Sequence, residues 1–385
     1  MKVLDKNITI LINGLGRGGA ENQVKILTEF LDIKNLYTLI NQNDTEVKNP
    51  LPKVLLKKET KSRLIRLINS IYKLNRIYKP EGIIISFMEQ SNFVNIISNL
   101  LGNKHFCLIS VRISPSYYEE KKFGWIMLFI MKTLYPYADL IISNSEECGK
   151  ELKSLLNTDP KKIITIPNII HHNIPINKQF FKLSSDTLVT IGRLEPQKNI
   201  EFQIQLISYF RKNNLLGKLI IIGDGSLKMS LISLAKNLKL RVGFDLNNEI
   251  FDIIFLGQMD EPMKILNKKS IFILTSFYEG MPNVILEAMS RGAVVISSNC
   301  KTGPKELLSP KEIVNSDQYF YEFGCILPVP YDNEKNLIIW SSLLSKILNS
   351  QKIREKYSLK SIQRYDQFTP DKIIPVWKKA IHNFL

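Results

Sequence analysis

Short runs rich in isoleucine, leucine and valine alternate with helix-spaced stretches along this chain, and the alternation breaks once and restarts. Strand-like runs are predicted at 8–13, 36–41, 54–57, 82–87, 106–111, 140–144 and 163–167. Helical stretches at 20–31, 61–78, 92–101, 118–135 and 145–156 separate them. After an aperiodic segment, strands are predicted at 188–191, 218–222, 253–256, 271–275, 294–298 and 325–329, with helices at 200–211, 226–238, 284–291 and 334–348. The strand runs lack clean alternation of apolar and polar residues, which is the mark of a parallel sheet covered by helices on both faces. The pattern divides the chain into an α/β domain over 1–170, a linker over 171–185, a second α/β domain over 186–368 and a closing helix over 369–385.

Composition narrows the classes. An apolar content of 44% and a charged content of 23% suit a globular chain. The longest apolar stretch, Phe123–Ile142, is interrupted by Lys132, Pro136 and Asp139, so no span is predicted where ~20 apolar residues are needed. The opening run Ile8–Ile12 reads as a buried strand rather than a leader. Cys107, Cys148, Cys300 and Cys325 are too scattered for a metal site or a disulfide framework, which points to a reducing, cytoplasmic setting. Half of the net charge of +16 falls in the 27 residues 53–79. Lys53, Lys57, Lys58, Lys61, Arg63, Arg66, Lys73, Arg76 and Lys79 face a single acid, Glu59, in that segment. Leu64, Leu67, Ile68, Ile71, Leu74 and Tyr78 recur there at helical spacing, with the basic residues on another face. A solvated surface helix and a patch that binds an anionic membrane both fit; no stacking or zinc-knuckle pattern supports nucleic acid.

Three motifs carry chemistry. Gly14-Leu-Gly16-Arg-Gly18-Gly19-Ala-Glu21 joins the first strand to the first helix. It is either a tight connection or a phosphate-facing turn. A dinucleotide fingerprint is disfavoured, because the second strand ends in Asn41-Gln42-Asn43 rather than in an acid. Gly192-Arg193-Leu-Glu-Pro-Gln-Lys198-Asn199 follows the first strand of the second domain. Its two cations are either solvated or placed to neutralise a diphosphate. Glu279-Gly280-Met281-Pro282-Asn283-Val-Ile-Leu-Glu287-Ala288 follows a strand and opens a helix. Its two carboxylates are either surface groups or placed to face one cleft, where carboxylates suit sugar hydroxyls.

These three strings, in this order, resemble the retaining family-four glycosyltransferases. Gly303-Pro-Lys-Glu306-Leu and Ser110-Val-Arg112-Ile-Ser-Pro115 resemble the members that build bacterial capsule and O-antigen. The resemblance spans nearly the whole chain. It implies a GT-B fold: an α/β architecture of two facing Rossmann-like domains with a cleft between them and a C-terminal helix. It implies transfer of a hexose or N-acetylhexosamine, with retention, from a nucleotide-diphosphate sugar to a growing lipid-linked cell-surface glycan. UDP is the nucleotide by the family's habit. By the same resemblance Arg193 and Lys198 hold the donor diphosphate, Glu287 binds the ribose hydroxyls, and Glu279 contacts the hexose with the backbone of Gly280, Met281, Pro282 and Asn283. Gly18 and Gly19 approach the phosphate from the first domain. The family often carries a histidine near the sugar where this chain has Arg112. His105, His171 and His172 lie elsewhere and read as surface residues.

Two cations aimed at a leaving diphosphate lower the barrier to its departure. The chain contains no D-x-D string, so neither a metal clamp nor any cofactor beyond the donor itself is predicted. The predicted location is cytoplasmic, peripheral on the inner face of the cell membrane. A sugar-nucleotide epimerase and a non-catalytic basic scaffold are the competing readings. The joint presence of Arg193, Lys198, Glu279 and Glu287 argues against the scaffold.

Overall fold

The computed structural model describes residues 7–16, 18–40, 47, 49–56, 62–77, 82–119, 121–171, 181, 183–184, 187–246, 250–310, 319–331 and 333–383. The chain forms two compact units, Met1–His171 with Thr369–Leu385, and His172–Phe368.

In the first unit the order is β1 (Asn7–Ile12), α1 (Gly19–Phe30), β2 (Ile33–Thr38), β3 (Pro52–Val54), α2 (Arg63–Ile77), β4 (Gly82–Phe87), α3 (Glu89–Leu100), β5 (Phe106–Val111), α4 (Pro115–Glu119), α5 (Gly124–Leu134), β6 (Leu140–Ser143), α6 (Glu146–Leu155) and β7 (Ile163–Thr165). The seven strands lie in the order β3-β2-β1-β4-β5-β6-β7, and every pairing is parallel. Successive residues of β1 point to opposite faces, as strand geometry requires. Ile8, Ile10 and Ile12 enter one core with Val24 and Leu27 of α1, whereas Leu11 enters another with Ile71 and Leu74 of α2 and Val94 of α3.

In the second unit the order is β8 (Thr187–Ile191), α7 (Ile200–Lys212), β9 (Lys218–Ile222), α8 (Lys228–Asn237), β10 (Val242–Gly243), β11 (Ile253–Gly257), β12 (Ile271–Leu274), α9 (Asn283–Ser290), β13 (Val294–Ser298), α10 (Pro304–Leu308), β14 (Cys325–Leu327), α11 (Asn333–Leu348) and α12 (Gln351–Tyr365). Its seven strands run β10-β11-β9-β8-β12-β13-β14, again all parallel. Both units are therefore doubly wound. Their strand orders reverse between β1 and β4 and between β8 and β12, the points where such sheets take ligands.

The last helix, α13 (Pro370–His382), belongs to the first unit. Ile373, Ile374, Trp377, Ala380 and Ile381 complete the core that contains β1 and α1. Trp377 is 1% exposed and lies 6.3 Å from the Phe87 ring.

The stretch predicted as one helix over 118–135 is two. Gly124 opens α5, and a Cβ there would lie 1.6 Å from the Tyr118 carbonyl oxygen, so only glycine permits the turn between α4 and α5. His105, read from sequence as a surface residue, is 8% exposed and bonded through its ring to Asn103 and Asn95. Burial pulls its pKa down to about 4.

Candidate functional site

The β8–β12 reversal brings together the two loops that carry the charged motifs. After β8 the chain passes Gly192 and Arg193, makes a tight turn at Pro196–Lys198, and enters α7 through Asn199, whose φ is 48°. After β12 it passes Thr275–Glu279 before α9 begins at Asn283. Phe277 N donates to the Gln197 carbonyl at 2.9 Å, and Gln197 Nε2 donates to the Tyr278 carbonyl at 2.8 Å. Thr275 Oγ1 donates to the carbonyls of Lys198 and Asn199 and accepts from Gln203 Nε2. The two loops thus form one rigid surface.

On that surface Lys198 Nζ lies 2.6 Å from Glu279 Oε1, with side-chain exposures of 13% and 7%. Ser276 Oγ donates to the same oxygen at 2.6 Å. The Lys198 stem passes over Gly192, where a Cβ would sit 3.4 Å from its Cε. Arg193 stands on the same loop but is exposed. Glu287 lies one turn into α9. Burial alone raises its pKa from 4.5 to about 7. Met281 and Pro282 are buried, whereas Gly280 and Asn283 are partly exposed at the helix entrance. Arg193, Lys198, Glu279, Gly280–Asn283 and Glu287 therefore all lie on loops and helix ends beyond the carboxyl edge of one sheet.

Several supporting residues were not singled out from sequence. Gly223, with φ at 141°, has its Cα so close to Gly192 that a Cβ would meet the Gly192 oxygen at 1.9 Å. Glu195 accepts from Ser226 N at 3.0 Å and Ser226 Oγ at 2.8 Å, which ties the loop after β9 to the cation loop. The signal available was Gly223-Asp-Gly225-Ser226 between a strand and a helix. Thr302 Oγ1 donates to the Glu279 carbonyl.

In the first unit, Gly18 caps α1 in an extended conformation, with φ −92° and ψ 172°, and Gly19 is the first helical residue. What Gly18 supplies is space rather than an unusual φ: a Cβ there would lie 2.3 Å from Glu21 Oε2. Gly18 and Gly19 thus lie on a different unit from Arg193, Lys198 and the two glutamates.

The basic helix departs from its expected division into faces. Ile71 and Leu74 of α2 are buried, but Leu64 (66%), Ile65 (50%), Ile68 (56%) and Tyr72 (65%) are exposed. Lys73 turns inward and donates to the Leu55 carbonyl at 2.6 Å, and Lys53 is bonded to Asn35. Lys57, Lys58, Lys61, Tyr78, Lys79 and the side chain of Arg63 lie outside the described residues. A second apolar face is exposed on α5 and the residue before it: Phe123, Trp125, Ile126 and Phe129, bordered by exposed Lys121, Lys122 and Lys132. Among the described residues, no helix is long and apolar enough to cross a membrane.

Residues 174–323 match the family model described as glycosyl transferases group 1. The chain is 33% identical to an uncharacterized glycosyltransferase of Methanocaldococcus jannaschii over 83% of each sequence. It is 28% identical, over 96% of this chain and 97% of the other, to a Campylobacter jejuni N-acetylgalactosaminyltransferase whose named substrate is a diphospho-undecaprenol-linked saccharide. The structure of Anabaena HepE in complex with UDP and glucose superposes with a TM-score of 0.72, at 15% identity, covering 98% of this chain and 99% of that one. That likeness establishes the GT-B fold.

Proposed function

The chain belongs to the group 1 glycosyltransferases, and from that premise we propose that it moves a hexose or N-acetylhexosamine from a UDP-sugar to a lipid-linked glycan. The observation that carries this reading is the Lys198–Glu279 pair beside the strand-order reversal of the second unit, with Glu287 on the helix that follows. A cation there meets the charge that grows on the departing diphosphate. The Glu279 carboxylate, already fixed by Lys198 and Ser276, is available to sugar hydroxyls, and Glu287 to those of the ribose. Arg193, exposed on the same loop, supplies the second cation. The sugar keeps its anomeric configuration, and the leaving phosphate helps to remove the acceptor proton. Because cations neutralise the diphosphate, initial rates are unchanged in excess EDTA.

The acceptor assignment draws on the Campylobacter jejuni relative, which is named for a diphospho-undecaprenol-linked substrate. Such an acceptor stays in the membrane, so the enzyme works at its surface. The exposed apolar faces of α2 and of α5, the latter bordered by Lys121, Lys122 and Lys132, support attachment to an anionic leaflet. The deciding experiment supplies a panel of UDP-sugars with an undecaprenyl-diphosphate-linked saccharide and follows labelled sugar into lipid. One donor should give transfer with retention, undiminished by EDTA. Transfer from no member of the panel, or activity abolished by EDTA and restored by magnesium or manganese, sinks the reading.

A further inference from the structure

Arg112 follows β5 directly, at the carboxyl edge of the first unit's sheet and one strand from the β1–β4 reversal. Its guanidinium is held on two sides. Nη1 donates to Asn168 Oδ1 at 2.5 Å, and the guanidinium carbon lies 4.9 Å from the centroid of the Phe87 ring. The third side is different. Nε and Nη2 are shielded from solvent and have no hydrogen-bond partner among the described residues. The hydroxyls of Ser110 and Ser114, in the same five-residue segment, are also shielded and unpartnered.

Nε and Nη2 form the edge of a guanidinium that grips a planar or tetrahedral oxyanion with two parallel hydrogen bonds. Two other arginines of this chain use that edge. Arg241 bonds Asp252 with Nε at 3.1 Å and Nη2 at 2.9 Å. Arg364 places Nε on the Leu307 carbonyl and Nη2 on that of Glu306, both at 2.9 Å. Leaving a shielded donor of a charged group unmade is costly. Packing alone is served better by an apolar side chain of similar volume. Burial lowers the Arg112 pKa to about 9, so the group still carries its charge at neutral pH.

We propose that Arg112 is a phosphate-binding residue, whose Nε–Nη2 edge takes two oxygens of one phosphate of a substrate diphosphate. Asn168 and Phe87 orient the edge. That the anion is a substrate phosphate rests on the proposed function. Two diphosphates have this chemistry, that of the donor nucleotide and that of the lipid-linked acceptor.

The test uses the full chain with Arg112→Lys, which keeps the charge and loses the fork, and Arg112→Met, which loses both. UDP is titrated calorimetrically, then inorganic pyrophosphate in the presence of saturating UDP. If the edge serves the acceptor, both variants bind UDP normally and lose pyrophosphate affinity at least 10-fold. If it serves the donor, both lose UDP affinity at least 10-fold. Wild-type affinity for both anions in both variants overturns the proposal. Thermal melting supplies the control. Arg112→Met removes the Asn168 bond and the Phe87 contact together with the unmade edge, so a lower melting temperature accompanies it; a lower melting temperature with unchanged binding makes Arg112 a packing group and also overturns the proposal. The separate loss of UDP binding in Arg193→Ala reports on the function itself, so the two readings fail independently.

Discussion

Lys198 and Arg193 share a loop and a charge but differ in what else they hold. A charge-assisted contact is worth about 1.5–3 kcal/mol. Arg193→Ala and Lys198→Ala are each predicted to lower turnover about 100-fold, measured as initial transfer rate. Arg193 is exposed, so its variant should melt like wild type. Lys198→Ala strands a 7%-exposed Glu279 and should melt lower. Near-normal turnover in either variant contradicts the diphosphate role. Glu287 makes a pH prediction. Its native pKa of about 7 exceeds its ordinary 4.5, so the native state keeps a proton that the unfolded state has released. That contribution to stability is complete below about 4.5 and disappears as pH rises through about 7. His105, lowered from 6.5 to about 4, acts in the opposite direction over an overlapping range. The informative quantity is therefore wild type minus Glu287→Gln, which cancels His105. This difference should fall from pH 5 to 8 in denaturant titrations; a flat difference shows that Glu287 is not buried as described. Arg193, Lys198 and Glu279 could be picked out of the sequence because each lies within two residues of a glycine or proline between a strand and a helix, and Glu287 because it follows that turn. Their partners could not. Lys198 and Glu279 are 81 residues apart, and only folding reveals that the pair meets.

Strands were legible where apolar residues occupy both faces: the bounds predicted for β4, β5, β9 and β13 are those observed. Helix α12 was not predicted, because Tyr357 is the one hydrophobic residue among the four it buries. Ser358, Ser361 and Arg364 also face inward, with Ser361 Oγ on the Ala293 carbonyl at 2.7 Å. Periodicity in hydrophobic letters has little to detect there. The loop before α10 shows how elements fix the site. Gly303 has φ at 90°, and a Cβ on it would meet the Gly280 oxygen at 2.1 Å and Pro282 Cδ at 2.6 Å. Gly303→Ala strains its own backbone and pushes the Gly280–Asn283 turn out of place. The cost is about 1–3 kcal/mol for the backbone alone. The predicted result is a lower melting temperature and at least a 10-fold loss of donor affinity. Unchanged donor affinity shows that the turn is not part of the donor site.

At the scale of the whole molecule, the described residues of the basic segment do not divide into one apolar and one basic face. Its Lys73 is committed inward, while apolar residues on α2 and α5 face out. Vesicle binding is therefore predicted to depend on Trp125 and Phe129 as well as on charge. Trp125→Ser with Phe129→Ser should reduce co-sedimentation with anionic vesicles several-fold and leave UDP binding intact. Binding that is insensitive to this pair, or equal on neutral vesicles, assigns the apolar faces elsewhere. The return of α13 to the first unit also sets an order of assembly during synthesis. The second unit is one continuous stretch and has all its strands and helices before Pro370 is made. The first unit begins the chain yet lacks the side chains that cover Phe87, Val24 and Leu27 until Trp377 leaves the ribosome. A chain truncated after 368 and released should combine a protease-resistant second unit with a first unit that is still open to cleavage.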